Sequence, residues 1–208
     1  YDQTRADFDF DRGSNAAASR INSSGLIEKY RENKLLQSNQ FDTTWATTRA
    51  SFVSGQSGYD GSNNAWKLES TDAADSYVRQ NVTQSGVQTF SVYAKAGNVN
   101  YIYFRIAGTA SQGAYIDLSN GSVSSIFNES NIISGVVVND IENGWYRISI
   151  AVNTTTSDVR FYVSDSGAAD SAVGSFIYIQ NAQLESGLVA TDYLNSTSVT
   201  AKAGVLID

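Results

Sequence analysis

The 208-residue sequence holds no histidine and no cysteine. Their absence removes Ser-His and Cys-His nucleophiles, thiolate zinc sites and imidazole metal ligands. Carboxylate, lysine and tyrosine chemistry remains. Glycoside hydrolysis needs two carboxyls facing each other across a groove, yet Asp72, Asp75, Asp117, Glu129 and Asp140 fall mostly in turns, with no motif that pairs them. No catalytic residue is therefore expected, and the chain reads as a non-enzyme.

Aromatic residues on polar strand faces are more informative. Tyr101, Tyr103 and Arg105 share one face of an alternating run, Tyr115 and Asp117 share one face of the next, and Tyr93 stands on the preceding strand. A sugar ring offers an apolar face to an aromatic plane while its hydroxyls need polar partners, so these six residues are the candidate glycan contacts. Plain packing of tyrosines on a sheet, or contact with an adjacent protomer, is the competing explanation. In the turn Tyr59-Asp60-Gly61-Ser62-Asn63-Asn64, Asp60 is the candidate ligand for a structural calcium, against an ordinary Asp-Gly turn. Asp7-Phe8-Asp9-Phe10-Asp11 is not an EF-hand loop, because Arg12 and Ala18 stand where glycine and glutamate are required; it reads as a strand with one apolar and one acidic edge.

These candidates need strands to position them. Period-two alternation predicts strands at 65–69, 77–82, 87–96, 100–107, 114–118, 122–127, 132–138, 145–152, 159–163 and 176–184. Gly97-Asn98 reads as a turn and Asn120-Gly121 as a hairpin turn. Ile27 to Asn33 reads as a short helical turn. About ten short strands separated by polar turns indicate an all-β jelly-roll sandwich. Residues 1–34 carry six of the 14 basic residues and read as an N-terminal arm. Within it Arg5, Phe8, Phe10, Arg12 and Arg20 are the assembly candidates, docking by strand addition. Residues 35–195 form the sandwich and 196–208 an exit segment.

Composition sets outer limits. The formal net charge of -7 disfavours nucleic acid and anionic membranes, and no apolar run is long enough to span a bilayer as a helix. The chain has no proline and no methionine, so Tyr1 is expected to follow a processed or missing segment.

Several collinear segments resemble a family of bacteriophage virion proteins that carry a jelly roll of the family 4/9 carbohydrate-binding-module type. Residues 16–28 (AAASRINSSGLIE) look like its preamble. Residues 33–41 (NKLLQSNQF) with Trp45 look like its opening strand. SVYAKAG at 91–97, AYIDLSNG at 114–121, NGWYR at 143–147 and IYIQNAQLESG at 177–187 follow in the family's order. Relatives usually carry a proline after the Tyr-aliphatic pair, where this chain has Tyr193-Leu194-Asn195. The resemblance implies a virion structural protein (tail fibre, appendage or capsid decoration) on the virion surface, partnered by other virion proteins, as a homotrimer, with host-surface glycan adhesion. The alternative is a carbohydrate-binding module of a secreted bacterial polysaccharide-active protein.

Overall fold

The computed structural model describes Ser19–Ile21, Ile27–Lys29 and residues 31–203. In chain order the strands are β1 (Ser19–Ile21), β2 (Ile27–Lys29), β3 (Arg31–Asn33), β4 (Ala46–Thr48), β5 (Ala50–Gln56), β6 (Ala65–Ser70), β7 (Ser76–Gln84), β8 (Val87–Ala96), β9 (Tyr101–Gly108), β10 (Gln112–Asp117), β11 (Ser122–Phe127), β12 (Ile132–Asp140), β13 (Trp145–Asn153), β14 (Thr156–Ser164), β15 (Phe176–Ser186) and β16 (Ala201–Ala203). One 3-10 turn, Glu129–Asn131, interrupts them. The described residues contain no α-helix.

The chain divides into a unit of residues 1–31 with 202–208 and a unit of residues 32–201. In the first, β1 and β2 pair antiparallel, with Arg20 opposite Glu28. Arg5, Phe8, Phe10 and Arg12 lie outside the described residues. The second unit is a sandwich of two six-stranded sheets, ordered β11-β10-β9-β14-β7-β4 and β12-β13-β8-β15-β6-β5. It is an all-β jelly-roll fold.

Alternation explains the layers, since successive strand residues point to opposite faces. From the first sheet Ile102, Phe104, Ile106, Ile116, Phe161 and Val163 point inward; from the second, Phe90, Val92, Ile148, Ile150, Ile177 and Ile179 meet them, all fully buried. Phe90 stacks on Phe104 at 4.4 Å between ring centroids, and Trp45 stacks on Phe161 at 5.5 Å. Each such side chain contributes roughly 1.5–3 kcal/mol by leaving water. No staple is needed at this size.

Two local expectations are corrected. Ile27 to Asn33 holds strands β2 and β3 rather than a helical turn. The opening strand stops at Asn33; Leu35 and Phe41 are fully buried from irregular backbone, which is held by bonds such as that from the Leu36 amide to Gln80 Oε1 at 2.7 Å. The Gly97-Asn98 turn carries the chain from one sheet to the other, because β8 and β9 belong to different layers. The close approach of Phe176 makes glycine necessary there, as a Cβ on Gly97 would lie 2.2 Å from the Phe176 carbonyl oxygen.

Candidate functional site

The solvent face of the first sheet is built from two transverse rows. Across four adjacent strands, Tyr115, Tyr103, Tyr162 and Tyr77 stand in direct register. One step along the strands lies a second row, Arg105, Arg160 and Arg79. Each of three strands supplies one member to both rows: β9 as Tyr103-Phe104-Arg105, β7 as Tyr77-Val78-Arg79, and β14, which runs the other way, as Arg160-Phe161-Tyr162. Reversal of direction and reversal of sequence order cancel, so like residues align.

The tyrosine rings cover one another. Tyr103 stacks on Tyr115 at 4.2 Å and 9°, while Tyr162 packs 4.9 Å from Tyr103 and 4.7 Å from Tyr77. Tyr103 is 5% exposed and Tyr162 1%. Their ring faces are occupied, so neither offers a plane to a sugar. Gly113 makes room for this row, because a Cβ there would lie 2.8 Å from the Tyr103 ring. Burial pushes the Tyr103 hydroxyl up to about 12. The Tyr115 hydroxyl is raised by burial and by the negative charge of Asp75.

Two of the three guanidiniums are held by neighbours on the same face or an adjoining loop. Arg160 donates to both carboxylate oxygens of the buried Asp158, at 3.0 Å through Nη2, and lies 5.2 Å over the Tyr77 ring. Bonding to Asp158 raises the Arg160 pKa above its ordinary value. Arg105 donates to Ser111 Oγ at 2.9 Å and to Tyr162 Oη at 3.4 Å, yet its buried Nε has no hydrogen-bond partner. Arg79 lines a cleft of about 330 Å3 with Lys34, Thr44 and Asn81. Like charges directly opposite across strands are destabilising. Here three occur in sequence, with one buried carboxylate among them.

The sequence candidates separate in space. Tyr101, Tyr103, Arg105, Tyr115 and Asp117 share the first-sheet face, with Asp117 opposite Tyr101. Burial pushes Asp117 up, but bonds from Ser119 and the Tyr101 hydroxyl outweigh it and hold the carboxyl below its ordinary value. Tyr93 is not with them. It lies on β8 of the second sheet, stacked on Tyr59 at 3.8 Å. Asp60, in the β5–β6 loop, accepts from the Ser62 amide at 3.1 Å and its hydroxyl at 2.6 Å. Among the described residues no three or more acidic, histidine or cysteine side chains cluster as metal ligands. Sequence reasoning missed Tyr77, Arg79, Arg160 and Tyr162. The repeated Tyr-x-Arg triplet, mirrored as Arg-x-Tyr, was the signal that could have found them.

No family model matches the chain, and no curated protein matches it. Among solved structures the chain is similar to a family 29 carbohydrate-binding module, at 8% identity and TM-score 0.42, covering 77% of this chain and 91% of that one. A variant of a family 29 module complexed with cellulohexaose has 8% identity and TM-score 0.41, with 76% and 91% covered. A family 61 module in complex with beta-1,4-galactotriose has 12% identity and TM-score 0.43, with 73% and 97% covered. At these scores no residue role passes from them to this chain.

Proposed function

We propose that this protein is a non-catalytic glycan-binding module whose first-sheet face takes a polysaccharide bearing carboxylate or sulfate groups. The observation that carries the proposal is the direct register of Arg79, Arg160 and Arg105 beside the tyrosine row. Strands lie about 4.8 Å apart, so the three guanidiniums span roughly 10 Å across the sheet. Asp158 forms an ion pair with Arg160, Asp75 acts on Arg105 only through space, and Arg79 has no ion-pair partner among the described residues. An anionic chain laid across the strands relieves the repulsion and gives the Arg79 fork a two-oxygen partner. Because the ring faces of Tyr103 and Tyr162 are occupied, recognition relies on guanidiniums and phenol hydroxyls more than on stacking, which Tyr77, Tyr101 and Tyr115 supply at the margins.

A module of a polysaccharide-active protein accounts for this chemistry without a virion. Of the residues expected to carry virion assembly, Arg5, Phe8, Phe10 and Arg12 fall outside the described part of the chain and Arg20 stands on β1.

Calorimetric titration with polygalacturonate, a sulfated galactan and an uncharged cello-oligosaccharide tests the proposal. Binding should be confined to the two acidic polymers. Arg79→Gln should weaken it about tenfold, since a hydrogen bond to a charged group contributes roughly 1.5–3 kcal/mol. Equal binding of the uncharged oligosaccharide, or an Arg79→Gln variant that binds polygalacturonate as the parent does, would overturn it.

A further inference from the structure

The outer side of the second sheet holds a cavity of about 490 Å3 that the first-sheet reading does not use. Pockets for small ligands run from about 300 to 1,000 Å3. Its floor is Tyr93 of β8 with Gln180 and Asn181 of β15; its walls are Tyr59 and Asp60 on one side and Asp192 on another.

The floor exists because the ladder breaks. Between Gln180 and Gln183 the register of β15 against β8 shifts, and Asn181 takes a left-handed backbone, φ 54°. Bulges of this kind re-aim side chains beside functional sites. The Asn181 amide N–H, freed from the ladder, donates to Asn39 Oδ1 at 2.9 Å, and its side chain donates to Tyr59 Oη at 3.0 Å. Gln180 is held at both ends: its Oε1 accepts from the Tyr59 N–H at 3.2 Å and its Nε2 donates to Asp60 at 3.3 Å. Glycine at position 58 lets Gln180 come this close, since a Cβ there would lie 2.4 Å from Gln180 Oε1 and would push that side chain aside. The far wall is fixed too, through the 2.6 Å contact of Tyr193 Oη with Ser38 Oγ.

We infer that this pocket is a second, independent binding site, for the uncharged, hydroxyl-rich end of a saccharide. Its lining is amide, phenol and carboxylate, and among the described residues no lysine or arginine lines it. Arg147, 5.4 Å from the Tyr93 ring, is not among the lining side chains and donates to the Thr191 carbonyl. The Asp60 carboxylate, held by Ser62 and Gln180, repels uronates and sulfates, yet accepts hydrogen bonds from sugar hydroxyls. Primary amides donate and accept side by side, which suits neighbouring hydroxyls. Burial pushes the Tyr59 hydroxyl up to about 12, so it stays protonated at neutral pH. Asp60 is pushed up by burial, but the bonds from Ser62 and Gln180 outweigh that and leave it below its ordinary value, hence ionised.

The inference does not depend on the first-sheet reading, and one experiment separates them. Uncharged mono- and disaccharides are titrated to about 10 mM, weak binding by any standard, while backbone amide signals are followed by NMR. Shifts should centre on Tyr59, Gln180 and Asn181. Asn181→Gly keeps a left-handed backbone without strain and removes the amide; it should weaken uncharged-sugar binding at least tenfold and leave polygalacturonate binding unchanged. Asn64→Ala, at the exposed rim, gives the same readout with an intact floor if Asn181→Gly unfolds. The inference fails if no uncharged saccharide moves those signals, if both variants bind as the parent does, or if calcium alone moves them and sugars do not.

Discussion

The two outer faces of the sandwich differ in how their strands are kept in step. On the first sheet, register holds without a break across β10, β9, β14 and β7 where the tyrosines and arginines stand. Like residues therefore form straight rows, and the surface between the row members is filled by their own side chains. On the second sheet the register breaks at Gln180, one strand bulges, and loops from distant parts of the chain close round the gap. Unbroken register makes a charged, filled surface suited to an extended polymer. Broken register makes a concave one suited to a single end.

The largest expected effect tests whether the second-sheet pocket depends on its C-terminal wall. Glu185, 1% exposed, accepts from the Thr191 N–H at 2.9 Å, the Thr191 hydroxyl at 2.6 Å and Gln183 Nε2 at 2.7 Å. Gln183 in turn accepts from the Leu194 N–H at 2.7 Å. These side chains fix the segment 191–195, where a proline was expected from the resemblance. Glu185→Ala leaves three donors without their acceptor and should cost about 3 kcal/mol in urea denaturation. It should abolish uncharged-sugar binding and spare the first-sheet face. Loss of both activities together would show that the faces are not separate.

Ionic strength should split the two faces next. Polygalacturonate binding should fall at least tenfold as salt rises from about 0.05 to 0.5 M, because screening shortens from more than 10 Å to a few ångströms. Uncharged-sugar binding should change less than twofold. Parallel salt curves in calorimetry would erase the distinction.

The smallest effect lies at the margin of the first-sheet face. Burial, and a hydrogen bond that protonated Asp75 donates to the Asp170 carboxylate, raise Asp75 above its ordinary value of 3.8. Its native pKa exceeds its unfolded one, so its contribution is fully present below pH 3.8 and is lost as pH rises through the native value. Asp75→Asn should flatten that part of the stability-pH curve, with a small gain at neutral pH. An unchanged slope in thermal unfolding would remove Asp75 as its source.

Most strands were legible because alternation is local. Val87 to Ala96 matches β8 at both ends, and Ser122 to Phe127 matches β11. Strands β4 and β5 were missed: β4 has only three residues, and β5, with four of its seven residues exposed and a glycine of positive φ, shows little alternation. Half of the first-sheet site was legible for the same local reason. Tyr103 and Arg105 are two apart and share a face, but their partners Tyr162 and Arg160 lie more than fifty positions away.

The sequence by itself determined which residues face out along each strand, the acidic balance, and the lack of histidine and cysteine. A period of two and a composition need no distant partner. Only the tertiary structure decided that Tyr93 and Tyr103 lie on opposite sheets, that three arginines align, and that residues near 39, 59, 93, 180 and 193 enclose one pocket. Strand neighbours are chosen by packing among segments far apart in the chain, and no local pattern carries that choice.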